Sequence, residues 1–198
     1  AYRAFLFFKP LIYLFVAVVF NIMKTIILAG GKGTRLPVSG ADKQKVLVEI
    51  GGKTILDHQI EWLKKHNLKD ITLSLGFRAE QVIKYIKNSP HLKGVNIDYI
   101  VETAPLGTGG ALKYASESIK DDFLALNGDI LTDNNLTKFI KSHKNVPRGT
   151  FLGSILAWKC QNVGDFGLLE IENGKIRAFH EKQAEIKRGF INTGVYIS

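Results

Sequence analysis

The chain has 198 residues, 45% of them hydrophobic and 23% charged, an ordinary globular composition whose length suits one domain with a sizeable core. Its formal net charge of +9 favours anionic ligands, but the lysines are scattered and no basic run is interleaved with aromatics, so nucleic acid is not the expected partner. The single cysteine, Cys160, excludes a disulfide framework and a thiolate metal site and fits a reducing, cytoplasmic compartment.

Residues 1–22 form an apolar lead, interrupted at Lys9-Pro10. As a helix, residues 11–20 would cover about 15 Å, and residues 5–20 about 24 Å, against a hydrocarbon core of about 30 Å. Arg3 and Lys9 could serve a signal peptide, but no small-residue cleavage site follows. The lead reads first as extraneous, then as an anchor, last as a signal, and a membrane partner is not expected. Met23 stands where such a protein could begin, and residues 195–198 stop inside what reads as a strand, so a truncated chain is expected.

Residues 25–29 read as a buried strand that opens into Gly30-Gly31-Lys32-Gly33-Thr34-Arg35-Leu36. Glycines let main-chain N–H groups converge on an anion, and Arg35 and Lys45 add positive charge. A polyphosphate, hence a nucleotide, is the expected ligand. A Rossmann fingerprint fails because Leu36 holds the third glycine's place, and a Walker A loop fails because Leu47 stands five residues before Gly52-Lys53-Thr54.

Further along, residues 46–50 read as extended and 55–66 as a helix, with Leu56, Ile60 and Leu63 on one face and Thr54 as candidate cap. Strands follow at 71–75, 95–101 and 123–126, and helices at 79–87, 109–118 and 134–143, with Asp133 as the cap of the last. Beyond Thr150 the rhythm turns to strands: 151–158, then 168–171 and 176–179 around the hairpin signal Asn173-Gly174, then 190–197. The predicted fold is α/β: a Rossmann-like, mostly parallel sheet with helices on both faces and a β-rich C-terminal portion. Residues 23–198 are expected to form one domain, with 23–149 as a nucleotide-binding half and 150–198 as part of a sugar-binding half.

Leu-Ala-Gly-Gly-x-Gly-Thr-Arg-Leu, starting at Leu28 and answered by Lys45, resembles the signature of the sugar-1-phosphate nucleotidyltransferases. The segment Glu102…Pro105-Leu106-Gly107-Thr108-Gly109-Gly110-Ala111 is similar to that family's second glycine loop, most like the mannose- or heptose-1-phosphate guanylyltransferases. The resemblance implies transfer of a nucleotidyl group, GTP favoured, to a sugar 1-phosphate, with Mg²⁺ as cofactor; uridylyl or thymidylyl transfer is the alternative within the family. A non-catalytic nucleotide-sensing module on the same fold is the alternative outside it, and an oligomer is compatible with either.

The resemblance implies catalytic roles for Arg35, Lys45 and Asp129, the last as metal ligand in Asn127-Gly128-Asp129. It implies nucleotide contacts from Leu28, Ala29, Gly30, Gly31, Gly33, Thr34, Gly76, Pro105, Gly107, Thr108 and Gly109. Gly167, Glu181, Lys182 and Asn192 are implied on the sugar phosphate. Where the family usually carries proline, this chain has Gln44. Losing proline frees φ, so a less rigid loop is expected there. A second metal-binding aspartate would lie beyond Ser198, so the chain as given is expected to turn over poorly.

Overall fold

The structure, a computed structural model, describes residues 23–31, 43–161, 167–180 and 188–198. Strands β1 (Thr25–Ala29), β4 (Asp70–Leu75), β5 (Asn96–Val101) and β6 (Leu124–Asn127) pair in parallel in the order β5-β4-β1-β6. Helices α1 (Ile55–Lys65), α2 (Ala79–Asn88) and α3 (Gly107–Ser116) supply the crossovers between them, and α4 (Leu136–Lys144) follows β6. A two-stranded ribbon, β2 (Glu49–Ile50) with β3 (Lys53–Thr54), lies outside this sheet.

Alternation along β1 divides the core in two. Ile27 and Ala29 join Leu56, Ile60, Leu63, Val82 and Leu136 from α1, α2 and α4. Ile26 and Leu28 face the other way, towards Leu112 and Ala115 of α3. Helices therefore cover both faces, as the βαβ rhythm predicts. The chain moves outward from β1 through β4 to β5, then returns to place β6 on the other side of β1. That reversal opens a crevice at the carboxyl ends of the strands, where ligands of open α/β sheets bind.

The rest of the sheet is antiparallel. β10 (Gly189–Ile197) pairs with β6 through Val195–Ile197 and with β8 (Leu168–Glu172) through Phe190 and Ile191. β7 (Ser154–Cys160) lies along β10, and β9 (Lys175–His180) pairs with β8. A register shift between Asn192 and Tyr196 marks where β10 passes from β8 to β6. Gly194, at φ +76°, sits in that irregularity. Asn173 and Gly174 both have positive φ, as the predicted hairpin requires.

Thr54 caps α1 in a reciprocal box with Asp57: the Asp57 N–H donates to Thr54 Oγ1 at 3.1 Å, and the Thr54 N–H donates to Asp57 Oδ2 at 3.0 Å. Four local expectations need correction. Residues 46–50 are not continuously extended: a 3₁₀ turn, Lys45–Leu47, precedes β2, because buried Val46 and Leu47 fold back onto the core. α3 begins two residues early, at Gly107, and the strand expected from 151 begins at Ser154. Asn135, not Asp133, caps α4, its side chain accepting from the Lys138 N–H at 3.0 Å. Among the described residues no helix is long and apolar enough to cross a membrane.

Candidate functional site

A cleft of about 920 Å³ opens at the carboxyl ends of β1, β4, β5 and β6. Its wall includes Leu28, Ala29, Gly30 and Gly31 after β1, Gly76 after β4, and Pro105, Gly107 and Thr108 at the start of α3. Lys45 and Asp129 complete it. Ten of the residues expected from sequence thus meet in one place. Gly109 lies in the first turn of α3 but not on the wall. Gly33, Thr34, Arg35, Glu181 and Lys182 lie outside the described residues.

Glycines set the cleft's inner surface by close backbone approach. The Gly30 carbonyl accepts from the Phe77 N–H at 3.1 Å, and a Cβ at Gly76 would fall 2.9 Å from that same oxygen. A Cβ at Gly30 would fall 2.7 Å from Glu102 Oε1. Glu102 joins the strand ends to the second glycine loop: Ser74 Oγ donates to its Oε1 at 3.1 Å and the Leu106 N–H to its Oε2 at 3.3 Å. Gly128 is the tightest point. Its N–H donates to the Leu28 carbonyl at 2.8 Å, and a Cβ there would sit 2.7 Å from that oxygen and 2.8 Å from Val46 Cγ1.

Lys45 and Asp129 are 84 positions apart in sequence and form a direct ion pair at the mouth of the cleft. Their side chains keep 24% and 41% exposure, so both charges remain open to a ligand. An ammonium can turn to an incoming phosphate as a point charge. Mg²⁺ takes one or two protein carboxylates and fills its remaining positions with water and substrate phosphates. A lone, half-exposed Asp129 beside a polyphosphate-sized cleft fits that donor set. Among the described residues no group of three or more His, Cys, Asp or Glu side chains converges on a metal site.

Sequence reasoning missed two buried amides behind this pair. Gln44 is 1% exposed, and its φ of −65° is the value a proline would impose. Its Nε2 donates to the Ala29 carbonyl at 2.5 Å, its Oε1 accepts from the Val46 N–H at 2.8 Å, and its own N–H donates to Gln81 Oε1 at 2.8 Å. The expectation of a looser loop is therefore corrected: hydrogen bonds replace the ring. Gln59, 2% exposed on α1, donates to both the Asn127 and Ile130 carbonyls at 2.9 Å. A polar residue inside the Leu56–Ile60–Leu63 stripe was its available signal.

The two described sugar-side residues, Gly167 and Asn192, lie off the cleft wall. Asn192 accepts from the Gly194 N–H at 2.8 Å and donates to the Tyr196 hydroxyl at 2.9 Å. The Gly167 carbonyl accepts from the Asn192 N–H at 3.3 Å. Gly194 approaches the cleft residue Asn127 so closely that a Cβ would lie 2.7 Å from Asn127 Nδ2. The irregularity in β10 thus reaches the cleft through Asn127.

Known proteins are similar to this chain in sequence and in fold. A mannose-1-phosphate guanyltransferase of Yarrowia lipolytica is 39% identical over 180 residues, covering 88% of this chain and 49% of that protein. The bifunctional protein GlmU of Methanococcus maripaludis is 34% identical over 177 residues, covering 88% of this chain and 39% of its own length. The chain therefore spans half or less of these relatives. The crystal structure of HddC from Yersinia pseudotuberculosis complexed with GMP-PN superposes with a TM-score of 0.75 at 34% identity, covering 88% of this chain and 76% of that one. Residues 24–197 match the nucleotidyl transferase family model, and the chain belongs to that family.

Proposed function

We propose that this chain transfers a guanylyl group from GTP to a sugar 1-phosphate, releasing pyrophosphate and a nucleotide sugar. The observation that carries the reading is the meeting of Lys45 and Asp129 beside a cleft walled by two glycine loops. In this reaction a sugar-phosphate oxygen attacks the α-phosphorus of the triphosphate. A P–O bond forms there as the bond to the β-phosphate's bridging oxygen breaks, and pyrophosphate leaves with the electron pair. Such a step needs alignment and charge neutralisation more than a protein nucleophile.

Each residue then has a task. The main chain at Gly30 and Gly31 admits the phosphates without steric cost. Lys45 draws on their charge, and Arg35 grips them with its planar fork. Asp129 holds Mg²⁺, which when bound offsets charge on the triphosphate. Pro105, Gly107 and Thr108 flank the nucleoside, while Asn192, Gly167, Glu181 and Lys182 serve the sugar phosphate. Guanine as the base is supported by the Yarrowia relative's name and by the GMP-PN complex of HddC. A cytoplasmic site of action follows from the need for nucleoside triphosphate.

The test is pyrophosphate release from a matrix of nucleoside triphosphates and sugar 1-phosphates, with Mg²⁺ and with chelator. We expect release that requires both substrates and metal and is fastest with GTP. A preference for UTP or dTTP would move the chain to another branch of the family, and no release with any pair would leave a nucleotide-sensing module. Arg35→Ala is expected to lower kcat more than it weakens nucleotide binding, and equal losses would reduce Arg35 to a ligand anchor.

A further inference from the structure

Lys45 and Asp129 are each carried by a short turn, and each turn is tied to the sheet by a buried glutamine. Lys45 opens the 3₁₀ turn, and Gln44 links that turn to β1: its Nε2 donates to the Ala29 carbonyl at the end of β1, and its Oε1 accepts from the Val46 N–H inside the turn. Asp129 stands between Asn127 and Ile130, and Gln59 donates one N–H to the carbonyl on each side. One amide therefore spans the segment bearing the carboxylate. Gln59 does not line the cleft, and Gln44 lies in its wall only 1% exposed, with both side-chain amide atoms already bonded to backbone.

Gln59 is polar where the packing is apolar. It sits among Leu56, Ile60 and Leu63 on the core side of α1, and a buried polar group is retained without cost only when it is hydrogen-bonded. A leucine in either place could not hold the carbonyls. The Gln59 Oε1 atom has no partner among the described residues, so this side chain accepts a desolvation penalty to make its two donor bonds. We infer that Gln44 and Gln59 are paired positioning residues, which preset the Lys45 ammonium and the Asp129 carboxylate at the spacing the transfer reaction uses. The inference rests on the guanylyl-transfer reading for its kinetic consequence, though the restraint itself is a property of the loops.

The experiment compares Gln59→Met and Gln44→Met, which keep side-chain bulk and remove the amide, with Leu136→Ala, which opens a core cavity but removes no hydrogen bond to either turn. Outer partners that orient reactive groups are worth about 10- to 100-fold. Each glutamine variant is therefore expected to lose about 10- to 100-fold in kcat, with KM for GTP changed less than about threefold, at a temperature where all variants stay folded. Leu136→Ala is expected to lose melting temperature but keep its kcat within about threefold. Equal kcat losses in all three variants would overturn the inference, as would unchanged kcat in the glutamine variants.

Hydrogen–deuterium exchange supplies a readout independent of turnover. In Gln59→Met the amides of Gly128 and Ile130 are expected to exchange faster while those of β1 keep their protection. In Gln44→Met the Val46 amide is expected to do so. Unchanged local protection would overturn the inference even if the chain proves to catalyse a different transfer. An inactive wild type with these local changes would instead remove the functional reading and leave the restraint standing.

Discussion

The two ends of the parallel sheet each hold a cavity, and they differ in kind rather than in size. The cleft at the carboxyl ends measures about 920 Å³ and the cavity at the amino ends about 790 Å³. At the amino ends, side chains from Lys24, Asp121, Asp122, His143 and Arg148 line the space. His143 there bonds Ser154 Oγ at 2.8 Å and lies 3.6 Å from Asp122 Oδ2. At the carboxyl ends, backbone approaches backbone through Gly30, Gly76 and Gly128, and buried amides restrain the turns that carry charge. Volume alone does not distinguish a site. Strands that converge from opposite directions of chain travel do, because their loops must diverge and leave a crevice.

The largest expected effect breaks the comparison most directly. Asp129→Asn and Lys45→Ala should each lower kcat by about a hundredfold or more, while His143→Ala at the opposite end should leave it within about twofold. Steady-state pyrophosphate release measures all three, and a comparable loss in His143→Ala would make the amino-end cavity part of the machinery.

A smaller effect tests the backbone approach. Gly128→Ala places a methyl against the Leu28 carbonyl and Val46, so it should cost about 1–3 kcal/mol of stability, the range for overpacking a filled site. Denaturant titration measures the loss. Gly149→Ala offers no such contact, since a Cβ there meets nothing within 4 Å, but its φ of +79° strains any side chain. Gly31→Ala, with neither obstacle, is the cleaner control and should cost less than Gly128→Ala.

The smallest effect belongs to the amino end. His66 closes α1, accepts or donates at Thr137 Oγ1 across 3.0 Å, and packs edge-on to Trp62. Burial holds its imidazole below the ordinary value of 6.5, and neighbouring Lys65 adds to the shift. A base whose folded pKa is depressed takes up protons more readily when unfolded. Its contribution is therefore complete above about pH 6.5 and is lost as pH falls from there through the folded value. His66→Gln should flatten the fall in melting temperature between about pH 7 and pH 5.5, and an unchanged slope would remove this histidine from the acid response.

Much of this molecule is legible along the chain. The apolar run of β1 ending in Gly30-Gly31, the alternation of strands and helices, and the Asn173-Gly174 turn each carry a local physical signal, and the structure reproduces each. Gln44 and Gln59 show where such reading stops. As isolated residues they look like a lost proline and a polar interruption of a helix stripe. Their partners, Ala29, Asn127 and Ile130, lie 15, 68 and 71 positions away, and no short-range pattern announces a bond across that separation.

Sequence by itself determined the strands, the helices, the glycine loops and the chemical types available for phosphate and metal, because periodicity and backbone freedom are local properties. Tertiary structure alone decided that Lys45 meets Asp129, that Gly128 has no room for a methyl, and that buried amides hold the charged turns. Those are distances between segments, fixed only when β6 returns to lie beside β1.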